Sequence, residues 1–133
     1  MIVADSSYLV ERIVERRAEF AEEEFLAPDF AIPEVINAIL VQHRILHMLK
    51  DGRPYVSALF EAVDADSLRL VKVTESLARE AYEIALRNDE VIYDCIFVAL
   101  ALRYGGDLKT VDRRQAQVYA KESARKNAGD PSR

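Results

Sequence analysis

Residues 92–106, IYDCIFVALALRYGG, are apolar almost all the way round a helix, yet they carry one carboxylate, Asp94, near the start. A helix that is apolar on every side belongs in the interior, so this segment must be covered all round. An unpaired carboxylate at its mouth is costly. No Lys or Arg lies within one turn on the inward face. Something else in the chain, or bound to it, must compensate Asp94.

The remaining segments supply the covering layers. Met1–Ala4, MIVA, is a short apolar run that stops at DSS, as a buried parallel strand does. SYLVERIVERRAEF has helical spacing, with Leu9, Ile13 and Phe20 inward and Glu11, Arg12, Glu15 and Arg16 outward. A brief strand is expected at Phe25–Ala27. Pro33 suits the first turn of a long helix, IPEVINAILVQHRILHMLK, ended by Asp51-Gly52. RPYVSALFEAVDA reads as a helix, LRLVKVT (68–74) as a strand and ESLAREAYEIALRN as a helix with Glu80 and Glu83 outward. After the Gly105-Gly106 stop come a strand, DLKTV, and a helix from about Arg113. Strands alternating with helices imply a parallel sheet covered on both faces. The chain has 133 residues, 50% of them hydrophobic and 31% charged. That fits one domain with a substantial core. Residues 1–124 are expected to form it, and 125–133, RKNAGDPSR, to form a flexible tail.

In such a sheet, ligands bind beyond the carboxyl ends of the strands. Asp5 follows the first strand. Glu34 lies in the first turn of the long helix, Asp94 in an early turn of its own, and Asp112 after the last strand. Each alone has a plain reading as a helix cap or a dipole partner, worth about 1 kcal/mol or less. Together, at junctions sharing one sheet edge, they can converge. Clustered carboxylates repel one another, and a divalent cation relieves the repulsion. All-oxygen ligation without a Cys or His cluster favours Mg²⁺ or Mn²⁺ over zinc, and such ions suit phosphodiester hydrolysis.

Four stretches then carry a resemblance that covers nearly the whole chain. IVADSS, LAPDFAIPEVINAIL (26–40), IYDCIFVALA (92–101) and LKTVDRR (108–114) resemble, in order and spacing, the successive motifs of PIN-domain ribonucleases, closest to VapC-type toxins of toxin–antitoxin pairs. The resemblance implies a three-layer α/β/α sandwich with a central parallel sheet, and an Mg²⁺- or Mn²⁺-dependent endoribonuclease. Its acidic site falls on Asp5, Glu34, Asp94 and Asp112, with metal held by Asp5, Asp94 and Asp112. Glu34 either ligates or orients water. Ser6, Asn37 and Thr110 match polar residues around the acids. The resemblance also implies a homodimer, an RNA substrate, and an antitoxin protein that occupies the groove. Cys95 stands where the family often has Ala, DSSY replaces the commoner DASV, and NDEVIYD is a more polar approach to the third acid. None of these departures removes a ligand.

Other residues weigh less. Arg113 and Arg114 follow Asp112 and are candidates for RNA phosphate contacts, against a plain reading as a solvated helix start. His43 and His47 are four apart but lack a third ligand, so they read as surface histidines. Cys95 reads as core, and Tyr93 as a residue that could stack on a base, with burial as the simpler reading. Tyr8, Leu9 and YVSALFEAV are candidates for a dimer face, with core packing as the simpler reading. A net charge of −5 excludes a generally basic coat. The single cysteine and the lack of a signal-peptide pattern suggest a cytoplasmic setting. No apolar run approaches the roughly 20 residues of a membrane span.

Rival readings remain. The fold could serve as a binding or scaffold domain without nuclease activity. A phosphate-transfer receiver also places an Asp after its first strand. Lys109 lies near a strand, but a phosphoacceptor in mid-sheet is missing. No DxD follows the first strand, against a haloacid-dehalogenase-type phosphatase.

Overall fold

The computed structural model describes residues 1–129. Its elements run β1 (Ile2–Ala4), α1 (Ser6–Glu15), a 3₁₀ helix (Arg17–Glu22), β2 (Phe25–Pro28), α2 (Ala31–Arg44), α3 (Arg53–Asp64), β3 (Leu68–Val71), α4 (Glu75–Asn88), α5 (Ile92–Tyr104), β4 (Asp107–Lys109) and α6 (Arg113–Asn127). The four strands pair in parallel in the order β3-β2-β1-β4.

That order dictates the layers. The chain steps from β1 to β2 to β3 in one direction, then returns across the sheet to β4 beside β1. Right-handed crossovers place α1, α2 and α3 on one face, and α4 and α5 on the other. Packing agrees: α5 lies against β1, β2 and β4, with α4 and α6 against α5, while α1 packs on α2 and α3. The result is the expected α/β/α sandwich. Cys95 to Leu102 are all buried, so α5 fills the space its sequence demanded. Gly105 ends it in the left-handed region at φ 62°. At Gly106 a side chain would collide with the Met1 carbonyl, because β4 begins hard against β1.

Several boundaries differ from the sequence reading. The first helix stops at Glu15 and a 3₁₀ helix carries Phe20 into the core. The strand expected over 68–74 stops at Val71, because Thr74 turns out of the sheet to cap α4, accepting from Leu77 N at 3.2 Å. The long helix expected to reach Lys50 ends at Arg44. Ile45, Leu46 and Met48 have no core to face and are 58%, 55% and 67% exposed. His47 takes φ 54°, and the turn returns Leu49 to the interior. At the other end, α6 continues through Asn127, past Ala124 where the domain was expected to stop. Lys126 Nζ donates to the Leu102 carbonyl and ties that last turn to α5. Residues 130–133 of the expected tail lie outside the described residues.

Two further elements of the core matter for the site. Glu122 on α6 is fully buried and accepts from Arg87 Nη2 at 2.7 Å and Asn88 Nδ2 at 2.9 Å, both on α4. Leu9 and Leu59 are buried within the chain, and Tyr8 packs edge-on against Phe25 at 5.7 Å. Among the described residues no helix is long and apolar enough to cross a membrane.

Candidate active site

The strand order reverses between β1 and β4. At such a switch point the two chains leaving the sheet diverge and open a crevice at the carboxyl edge. The pairing of Ala4 with Lys109 brings Asp5 alongside Thr110. Asp5 N donates to the Lys109 carbonyl at 3.0 Å, extending the ladder by one bond. The polypeptide then turns into α1, and Asp5 becomes its cap: Oδ1 accepts from Tyr8 N at 3.0 Å and from Ser7 Oγ at 2.6 Å. The residue is only 6% exposed. Ser7 Oγ also lies 3.4 Å from Thr110 Oγ1 and accepts from Val111 N at 3.4 Å. One hydroxyl thus joins the first acid to the end of β4.

Asp112 repeats the arrangement at α6. Its Oδ1 accepts from Arg114 N at 2.8 Å and Gln115 N at 3.3 Å, and its own N–H donates to Thr110 Oγ1 at 3.0 Å. The plain reading of both Asp5 and Asp112 as N-caps is therefore correct. It does not exhaust them, since in each the cap uses Oδ1 and leaves Oδ2 without a hydrogen-bond partner among the described residues.

Glu34 sits in the first turn of α2, exposed, where the helix dipole favours an acid. Ser6 Oγ donates to its Oε1 at 2.7 Å. Asp94 holds the matching position in α5, half-buried. Among the described residues its carboxylate has neither a hydrogen bond nor an ion pair to another side chain. Burial pushes its carboxyl above the ordinary value, and the charges of Asp112, Glu90, Asp5 and Glu34 add to the rise. The other three sequence-chosen acids thus lie within electrostatic reach of Asp94, and the four stand at the mouths of α1, α2, α5 and α6.

The donor chemistry fits a hard cation: oxygens only, an uncompensated half-buried carboxylate, and cap carboxylates with an oxygen to spare. The acids do not, however, stand as a closed cage. Among the described residues no three of His, Cys, Asp or Glu are grouped closely enough to hold an ion as they are.

The surrounding candidates divide. Ser6 bonds the Glu34 carboxylate, and Thr110 accepts from the Asp112 backbone N–H. Asn37 lies exposed on α2 with no hydrogen bond among the described residues. Arg113 is exposed and unpaired among the described residues. Arg114 is exposed too, as a helix start in solvent would be, but its guanidinium is engaged by Glu90 and by the Asn88 carbonyl at 2.7 Å, so it also braces the protein. His43 Nδ1 accepts from Gly52 N at 3.2 Å, and His47 lies beyond the helix, so the two do not share a helical face. Cys95 is wholly buried, and burial, with nearby Glu90, Asp94 and Glu122, pushes its thiol up to about 12. Tyr93 is not the buried residue that the simpler sequence reading expected. It is 59% exposed, its ring edge-on to Phe30 at 5.8 Å.

Three residues around the site escaped sequence reasoning. Ser7, not Ser6, binds Asp5. Glu90 is a fourth acid acting on Asp94, beside Asp5, Glu34 and Asp112. Gln115, 4% exposed, donates its side-chain amide to the Asp94 carbonyl at 2.9 Å. A signal for Gln115 existed: with Val118 and Glu122 it forms an i, i+3, i+7 stripe, and polar residues on an inward stripe require partners.

Comparison with known proteins agrees with this architecture. A sequence model of the PIN domain matches residues 2–121. The chain is also 32% identical over 127 residues to ribonuclease VapC3 of Pyrobaculum aerophilum, covering 89% of this chain and 94% of that protein. With strands, crevice and acidic junctions in place, this polypeptide belongs to the PIN-domain family.

Proposed function

We propose that the chain is an endoribonuclease that hydrolyses RNA phosphodiester bonds with Mg²⁺ or Mn²⁺, and that it is the toxin of a VapBC-type pair. The reading rests above all on Asp94. A half-buried carboxylate without a protein cation, surrounded by acids that raise its pKa, calls for a bound positive charge. Likeness to a ribonuclease over nearly the full length of both chains supports RNA as the substrate.

Asp5, Asp94 and Asp112 would hold the ion, with Glu34 ligating or orienting water from the mouth of α2. When bound, a divalent ion of this kind supplies Lewis acidity toward a phosphodiester. The chain's own residues do the rest. The Asp5 and Asp112 caps fix their carboxylates relative to the sheet. Ser6 holds Glu34 toward α1, and Ser7 and Thr110 lock the β1 and β4 ends together. The N-termini of α1, α2, α5 and α6, each beside one of the acids, would soften the repulsion among them and favour an anionic phosphate. Arg113, exposed beside Asp112, would meet RNA phosphate. A cytoplasmic setting, a homodimer and an antitoxin partner complete the reading.

The test is cleavage of a defined RNA with Mn²⁺ by wild type, Asp5→Ala and Asp94→Asn. Loss in both variants supports the site, whereas equal cutting by all three refutes it. A binding or scaffold role is the second reading, favoured by the capping already done by Asp5 and Asp112. Stable RNA binding by wild type without any metal-dependent cleavage would select it.

A further inference from the structure

The fourth acid is held by two backbone N–H groups, those of Arg114 and Gln115. The side chains of the same two residues reach across to the segment that carries the third acid. Arg114 binds the Asn88 carbonyl and Glu90, just ahead of α5. Gln115 binds the Asp94 carbonyl itself. Gln115 is buried, and a buried amide is tolerated when it is satisfied. It spends its N–H on a neighbouring helix instead of on solvent.

We propose that Gln115 is a positioning residue: through one buried side chain it fixes the first turn of α5, with Asp94, against the cap of α6, with Asp112. This rests on reading the acid cluster as the active site. The geometry leaves little alternative role for the amide. Its backbone N–H touches one acid's carboxylate and its side chain touches the other acid's main chain, so a shift of α6 along α5 would move both acids relative to each other. Positioning of this kind matters because misplacement of reacting groups by about 1 Å can cost about 10²-fold in rate.

The experiment compares full-length Gln115→Met, which keeps the length but loses the donor, with Val118→Ala. Val118 lies on the same buried stripe of α6 and carries no group that could hydrogen-bond an acid. Gln115→Asn, polar but one carbon short, serves as a second variant should the first fold poorly. Two readouts are taken: the Mn²⁺ concentration for half-maximal RNA cleavage with kcat and KM separated, and hydrogen exchange over residues 90–98 in metal-free protein. The expected result is an Mn²⁺ midpoint raised about tenfold in Gln115→Met. With it go a lower kcat, an unchanged KM for RNA and faster exchange over 90–98. Val118→Ala should lower the Tm without either effect. Unchanged midpoint and exchange in Gln115→Met would overturn the proposal, as would equal changes in Val118→Ala at matched stability. If wild type shows neither cleavage nor an Mn²⁺ response, the active-site reading fails. The exchange comparison then decides the strut alone: faster exchange in Gln115→Met only upholds it, and equal exchange in both variants refutes it.

Discussion

Ser6 donates its hydroxyl to Glu34 Oε1 at 2.7 Å, joining two acidic motifs that lie 28 positions apart in sequence. The bond is exposed, so it adds little to folding, on the order of 0.5–1 kcal/mol. Its value lies in holding a flexible glutamate toward α1. Ser6→Ala should therefore leave Tm nearly unchanged and lower kcat for RNA cleavage about tenfold. A large fall in Tm with unchanged kcat would show that the bond serves the fold alone.

The Arg87–Glu122 pair gives a pH-dependent prediction. Burial works to raise the Glu122 carboxyl, but hydrogen bonds from Arg87 and Asn88 and the charges of Arg87 and Arg125 outweigh it, and the net shift is downward from 4.5. A depressed folded-state value contributes stability above 4.5, lost as pH falls through the folded value. Glu122→Gln should cost on the order of 3 kcal/mol at neutral pH. The gap between variant and wild type should close as pH falls below 4.5. Urea unfolding at several pH values checks this, and a gap independent of pH would contradict it.

Asp94 carries the opposite sign. Its folded-state value is raised above 3.8, so its contribution to stability is fully present below 3.8 and is lost as pH rises through the folded value. At neutral pH the metal-free protein is penalised by this carboxylate. Asp94→Asn should melt no lower than wild type in chelator at pH 7, with the difference vanishing at acid pH. A clear destabilisation at neutral pH would mean that the carboxylate is satisfied within the protein.

The two arginines after Asp112 should behave differently. Arg113→Ala should weaken RNA binding and reduce the salt slope by about one phosphate contact, with Tm unchanged. Arg114→Ala should lower Tm, because it strips Glu90 and the Asn88 carbonyl of their partner. Equal effects of the two on RNA affinity would contradict the assignment.

What the residues disclosed in advance follows their physics. That Asp5, Glu34, Asp94 and Asp112 stand at helix starts was legible, because a parallel sheet sends such junctions to one edge, and the all-round apolar α5 announced its own burial. Helix ends were less legible. ILHM after Arg44 continues a plausible pattern, and only the absence of a surface to cover ends α2 there. The pairing of Arg114, a surface cation, was hidden because Glu90, its partner, is 24 positions away. Ser7 and Ser6 are indistinguishable until the turn after β1 decides which hydroxyl points at which acid. Tyr93 follows the periodicity of a buried helix, but its position in the first turn leaves it at the rim.

The central claim is that the acids of four separate segments share one divalent ion. Calorimetric titration of Mn²⁺ into wild-type protein and Asp94→Asn tests it directly. Saturable binding in wild type, lost or weakened at least tenfold in Asp94→Asn, is the expected result. Binding of equal strength in both proteins, or none in wild type, would contradict it.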